Sequence, residues 1–183
     1  FGLGDRSLRG EPAEPRPLSL LNSDFDEIAP EFSNDALYFA SNRRGSVGGL
    51  DLYVATYRDG LFGEAVPIAH GVNTAADETD PAPVPGTSAV LFSSNRLRGA
   101  RRDYDLYLAV LSQGEGRSSV STIDALNSPF DERDPAVTSD GLSLAFASNR
   151  AGSLGGFDLF RSVREKGEWL APEPIPGLNT TAS

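Results

Sequence analysis

The sequence predicts an all-β protein assembled from repeated four-stranded antiparallel units, and three observations predict it. One pattern is written three times: DEIAPEFSNDALYFASNRRGSVGGLDLY from Asp26, DETDPAPVPGTSAVLFSSNRLRGARRDYDLY from Asp77, and DERDPAVTSDGLSLAFASNRAGSLGGFDLF from Asp131. Its anchors keep register. The prolines Pro30, Pro81 and Pro135 are spaced 51 and 54, the Asn-Arg pairs from Asn42, Asn95 and Asn149 are spaced 53 and 54, and Asp51, Asp105 and Asp158 are spaced 54 and 53. Finally, every copy breaks into short apolar runs bounded by turn residues, and no segment holds a 3.6-residue apolar period over helical length.

Each unit reads as four strands. The first straddles the position after the proline: Glu31-Phe32, Ala82 to Val84, Ala136 to Thr138. A turn follows at Asn34-Asp35, Pro85-Gly86 and Asp140-Gly141, the last being the strongest hairpin signal. The second strand (Leu37 to Ala40, Val90 to Ser93, Leu144 to Ala147) is a continuous apolar run, as expected of a strand covered on both faces. The third alternates, as in Asp51 to Thr56, and the fourth (Glu64 to Ile68, Ala171 to Ile175) carries prolines that suit an edge. Four antiparallel strands in roughly 50 residues, repeated in tandem, describe the blade of a β-propeller. A β-sandwich would explain the strand count but not the repeat. The expected organisation is a flexible arm over residues 1–15, then a propeller segment over 16–183 with blades at about 24–70, 75–125 and 129–176. A short extra N-terminal strand is expected within Arg16 to Leu21, because Leu21-Asn22-Ser23 recurs as Val72-Asn73-Thr74, Leu126-Asn127-Ser128 and Leu178-Asn179-Thr180. Closed propellers have roughly four to eight blades, so three imply an incomplete or partner-closed ring. The absence of methionine points to a processed chain or an excised piece.

Composition narrows the chemistry. A net charge of −10 argues against a nucleic-acid partner, and no apolar run is long enough to span a bilayer. With no cysteine and a single histidine, His70, there is no thiolate nucleophile and no multi-histidine metal site. No Gly-x-Ser-x-Gly elbow accompanies His70, which is expected to be exposed. No cofactor is expected. Gly48-Gly49 and Gly155-Gly156 lack the lysine and helix of a phosphate loop and are expected to be tight turns with positive φ.

The phrase S-D-G-x-x-L-x-F-A-S-N-R-x-G-x-x-G-G-x-D-L-F, followed by G-x-W-x-x-P-x-P-I and L-N-T, resembles the TolB-type, WD-like β-propeller repeat of bacterial cell-envelope proteins, often found beside OmpA-like or tetratricopeptide modules. Copies one and three match closely; copy two lacks the Asp-Gly turn and the Gly-Gly. The resemblance implies a scaffold in the periplasm or at the outer membrane that binds a protein partner and is not an enzyme.

Three groups of residues are singled out. Asp26, Asp77 and Asp131, each followed by Glu, open the innermost strands, with Asp80 and Asp134 added in copies two and three. They are expected to cap turns between blades; the alternatives are calcium, or glycan binding or cleavage by Asp77, Asp80, Asp131 and Asp134 at a channel mouth. Arg43, Arg96 and Arg150 follow the most buried strand and are expected to bridge acids, either Asp51, Asp105 and Asp158 or the Asp-Glu loops. The loop from Arg96 to Tyr104 breaks the repeat with a basic patch on an acidic chain, so Arg98, Arg101, Arg102 and Tyr104 are the expected partner-binding residues.

Overall fold

A computed structural model describes residues 16–112 and 116–181; the arm expected over 1–15 lies outside the described residues. Three antiparallel sheets follow one another along the chain. Blade 1 comprises β1 (Glu27–Ser33), β2 (Ala36–Ser41) and β3 (Asp51–Arg58), with the two-residue strands β4 (Leu61–Phe62) and β5 (Val66–Pro67) both pairing with β3. Blade 2 comprises β6 (Glu78–Pro83), β7 (Ala89–Ser94), β8 (Asp105–Val110) and β9 (Ser119–Thr122). Blade 3 repeats blade 1 as β10 (Glu132–Val137), β11 (Ser143–Ser148), β12 (Asp158–Glu165), β13 (Glu168–Trp169) and β14 (Glu173–Pro174). These are consecutive β-propeller blades. No described helix is long and apolar enough to cross a membrane.

The three prolines occupy equivalent places, but not as strand-openers. Each first strand begins before its proline and is interrupted there, with the register shifting between Ile28 and Glu31, Thr79 and Ala82, and Arg133 and Ala136. The residue before each proline has positive φ: 50° at Ala29, 52° at Asp80 and 52° at Asp134. A bulge is where a strand can hold a residue that donates no ladder hydrogen bond. Pro30, Pro81 and Pro135 thereby line one small cavity between the innermost strands of the three blades.

Two other expectations need correction. Arg16 to Leu21 is not a strand. Its end is a tight turn in which the amides of Leu21 and Asn22 both donate to Leu18 O, at 2.8 and 2.9 Å, so they are satisfied without a neighbouring strand. The same turn recurs where Leu126 and Asn127 donate to Ile123 O. Nor does Gly48-Gly49 adopt positive φ. Glycine is required there by proximity: a Cβ on Gly48 would lie 2.0 Å from Ala76 O, and one on Gly49 2.2 Å from Asp77 Oδ1, both on blade 2.

The core lies between blades rather than within them. One cluster packs Ala40, Leu52, Ile68 and Val72 of blade 1 against Val90, Phe92, Tyr107 and Ala109 of blade 2. The next sets Leu91, Leu106, Ile123 and Leu126 against Leu144, Phe146 and Phe160. Each such large side chain contributes roughly 1.5–3 kcal/mol, so a blade is stable chiefly by lending its face to a neighbour. Phe62 closes the outer corner of blade 1, edge-on to Phe32 with centroids 6.3 Å apart and tilted on Tyr57 at 4.8 Å.

Because the loop before β3 touches blade 2 backbone, Gly48→Ala should lower stability by about 1–3 kcal/mol in urea unfolding, the usual penalty of overpacking. Gly45→Ala should also destabilise, because φ there is +100°, although its Cβ meets nothing within 4 Å.

Candidate functional site

The Asp-Glu dipeptides and the arginines form one construction, built three times. Adjacent residues in a strand point to opposite sides, so the two acids of each dipeptide have different partners. The glutamate turns inward. Glu78 and Glu132 are fully buried, while Glu27 is partly buried, its side chain 17% exposed. In blade 2, Glu78 Oε2 accepts from Thr74 N at 2.6 Å, and Oε1 accepts from Thr74 Oγ1 at 2.6 Å, Ser94 Oγ at 2.8 Å and Arg96 Nη2 at 3.1 Å. Ser128, Ser148 and Arg150 do the same for Glu132; Ser23, Ser41 and Arg43 do it for Glu27. Each arginine also donates to the carbonyl of Leu21, Val72 or Leu126, the residue before the recurring Asn. Its guanidinium lies 4.6–5.1 Å from two aromatic rings, Phe39 and Tyr53, Phe92 and Tyr107, or Phe146 and Phe160. The arginines thus pair with the glutamates, which the sequence pattern also offered, and not with Asp51, Asp105 or Asp158. Burial of Glu27 opposes its ionisation, yet the bonds from Ser23 and Ser41 and the Arg43 charge hold its carboxyl below the ordinary value.

The aspartate turns toward the preceding blade. Asp77 Oδ1 accepts from Leu50 N at 3.0 Å, and Asp131 Oδ1 from Tyr104 N at 2.8 Å. Beside them, Glu78 N donates to Leu50 O at 2.7 Å and Glu132 N to Tyr104 O at 2.6 Å. Asn42, Asn95 and Asn149 fix the backbone of Asp26, Asp77 and Asp131. Asn73 and Asn127 each bond both backbone groups of Leu52 and Leu106. Asp51 and Asp158 close the loops before β3 and β12 by accepting from Val47 N and Leu154 N.

Copy two lacks that loop, and a side chain replaces it. Arg98 Nη1 donates to the buried Asp105 at 3.3 Å and Nη2 to Asp124 at 2.8 Å. Arg101 Nη2 reaches Ser128 O at 3.3 Å, while Tyr104 Oη donates to Asp77 at 3.1 Å and Arg133 lies over its ring at 3.5 Å. Burial, then the Asp77 charge, pushes the Tyr104 phenol up. Of the four sequence-predicted partner residues, Arg101 and Tyr104 therefore reach blade 3, Arg98 ties blade 2's own loop down, and Arg102 alone is exposed, near Leu97 at 61% exposure. His70 is exposed too.

At the axis a different pair appears. Asp80 and Asp134, in their strained bulges, line a cavity of about 150 Å³ with Glu31 and the three prolines. Asp134 N donates to Asp80 Oδ2 at 3.3 Å, and burial, then the Asp80 charge, pushes the Asp134 carboxyl above its ordinary value. Of the four acids named for glycan chemistry, Asp77 and Asp131 are tied into blade junctions and only these two meet. Ala29 holds the matching place in copy one, so two of the three copies contribute an acid. The pattern shows Asp80 and Asp134 as additions to the repeat, but not that bulges gather them.

No family model matches the chain, and no curated protein matches it. Solved structures do. TolB from Acinetobacter baumannii is 15% identical with a TM-score of 0.51, over 83% of this chain and 33% of TolB. A thermostable family-43 glycoside hydrolase is 17% identical with a TM-score of 0.53, over 88% of this chain and 64% of the hydrolase. A puromycin-hydrolyzing peptidase of Mycobacterium tuberculosis is 12% identical with a TM-score of 0.48, over 85% and 32%. The chain thus spans about a third of TolB and less than two thirds of the hydrolase. At such identities the likeness concerns the fold alone. It overturns the expectation that the chain is not an enzyme: the same fold carries a glycoside hydrolase, so the architecture gives no ground for excluding catalysis.

Arg96→Ala should destabilise by about 3–5 kcal/mol in urea unfolding, because it leaves Glu78 buried without its counter-charge, whereas Arg102→Ala should change little. Asp134→Asn should raise the unfolding midpoint at pH 7. A carboxyl with a raised folded pKa opposes folding once ionised, and that opposition vanishes below the unfolded value, so the gain should disappear near pH 3.

Proposed function

We propose that this chain is a β-propeller segment that binds a protein partner in a bacterial envelope complex, in the periplasm or at the outer membrane. The observation that supports it best is the copy-two loop. Arg98, Arg101 and Tyr104 fasten it from beneath, so it presents Leu97 and Arg102 on a fixed surface where the other copies have a plain turn. A pre-ordered loop loses little entropy on binding, and an apolar side chain beside an arginine is a common interface anchor. The envelope location rests on the TolB-type resemblance and on the fold shared with TolB. The expected domain limits, with one propeller segment over residues 16–183, belong to the same reading, and at Asp77 and Asp131 calcium would have to displace backbone donors that already bind the carboxylates.

A second reading has its own observation. Asp80 and Asp134 line one open axial cavity, and one has a raised pKa, two features that a glycan-active site shares.

Cross-linking in a bacterial envelope extract separates the two. The first reading expects a defined partner that is lost with Leu97→Asp and with Arg102→Glu, while the unfolding midpoint stays put; adducts indifferent to both substitutions remove the loop from the contact. The second expects hydrolysis or binding of a glycoside from a defined panel, abolished by Asp80→Asn, and silence across the panel removes it.

A further inference from the structure

The two junctions between blades are not filled alike. Between blades 1 and 2, Tyr38 and Leu111 pack against the shared apolar cluster. Leu91 and Arg164 hold the matching places between blades 2 and 3. Tyr38 and Leu91 each precede the phenylalanine of a second strand, Phe39 or Phe92. The backbone amides of Leu111 and Arg164 donate to equivalent turns, at Ser88 O and Leu142 O, 2.8 Å each. Leucine is shorter than tyrosine, and arginine carries its charged head outward. At this second junction a cavity of about 100 Å³ is walled by Val84, Leu91 and Leu108 of blade 2 and by Val137 and Trp169 of blade 3. Its walls belong to two described blades packed on each other.

Donor groups edge the cavity. Arg164 and Trp169 stand opposite one another across β12 and β13, so their side chains share a face, and the guanidinium carbon lies 5.8 Å from the indole centroid. Arg164 Nε donates to Gly167 O at 2.8 Å, which orients the fork. Among the described residues its terminal nitrogens and the Trp169 indole N–H have no acceptor, and no carboxylate lies within 4 Å of the guanidinium. The hydroxyl of Thr87, also in the lining, is engaged by Val84 O at 2.9 Å. A void costs stability in proportion to its volume, and the first junction shows that this repeat can fill the place with a ring. A void kept beside an unpaired guanidinium, on a chain of net charge −10, has the two parts of a site for an apolar anion.

We propose that this cavity binds a small branched aliphatic carboxylate. Its methyl groups enter between Leu91, Leu108 and Val137, and its carboxylate accepts from the terminal nitrogens of Arg164. The volume is below the roughly 150 Å³ that takes up benzene, so a fused ring or a sugar is too large. The guanidinium favours the acid over an uncharged alcohol of the same carbon skeleton and rejects the amine. The site is separate from the copy-two loop and from the axial acids, and is independent of what either of them binds.

Trp169 is the chain's only tryptophan, so its fluorescence reports this site alone. Titrating the full chain with isovalerate at pH 7 should give a saturable change with a dissociation constant on the order of millimolar, as suits so small a ligand. Isoamyl alcohol should bind at least about tenfold more weakly, and so should isovalerate to Arg164→Gln. Arg164 is exposed, so that variant should keep the unfolding midpoint. Leu91→Tyr, which installs the residue of blade 1, should abolish binding while the midpoint holds; if the midpoint falls, Arg164→Gln decides alone. Acetyl-alanyl-leucine binding more tightly than isovalerate supports the site with a chain terminus as its ligand, and the reverse order supports it with a free acid. A signal that does not saturate overturns the proposal, as does binding that survives Leu91→Tyr or treats acid and alcohol alike.

Discussion

The structure depends on a buried carboxylate at the start of each innermost strand. An ionised glutamate in the interior costs several kcal/mol unless every lone pair is met, and here they are met by a backbone amide, two hydroxyls and an arginine. Those donors come from the turn before the strand, the end of the second strand and the loop after it. Satisfying one acid therefore fixes three segments. The aspartate before it faces the other way and reaches the preceding blade. One dipeptide sets the shape of its own blade and the seating on its neighbour.

This division explains what varies and what does not. The Glu–Arg knots are nearly superimposable in chemistry across the three blades, while the loop before the third strand is free to change as long as its buried aspartate is answered. Backbone amides answer Asp51, and the side chain of Arg98 answers Asp105. The exchange turns a tight glycine loop into a longer surface with Leu97 and Arg102 outward. The axial additions Asp80 and Asp134 follow the same logic, since the bulge is held by the proline and by ladders on either side. Function on such a frame resides in departures from the repeat.

The blades, their order and the role of the arginines were legible from spacing alone, because a residue kept in every copy serves what every copy shares. The register of the acids was less so. Asp51, Asp105 and Asp158 seemed as good a partner for arginine as the Asp-Glu loops, and only the alternation of Asp26-Glu27 along a strand decides that the glutamate faces inward. The glycines misled for a physical reason: Gly48 is demanded by the backbone of another blade and Gly49 by the side chain of Asp77 there, which no local pattern reveals. Arg98 and Tyr104 read as a surface patch because their buried partners, Asp105 and Asp77, lie 7 and 27 residues away. The two-residue fourth strands and the turn at Leu18 are too short for periodicity to distinguish.

Cohesion between blades is the central claim, and native-state hydrogen exchange on the dilute chain reaches it most directly. The amides of Glu78 and Glu132, which donate across a junction, should exchange as slowly as the central amides of β7 and β11, while that of Glu27, which has no such acceptor among the described residues, exchanges fast. If Glu78 and Glu132 exchange as fast as Glu27, the blades are held separately and the junctions described above do not bind them.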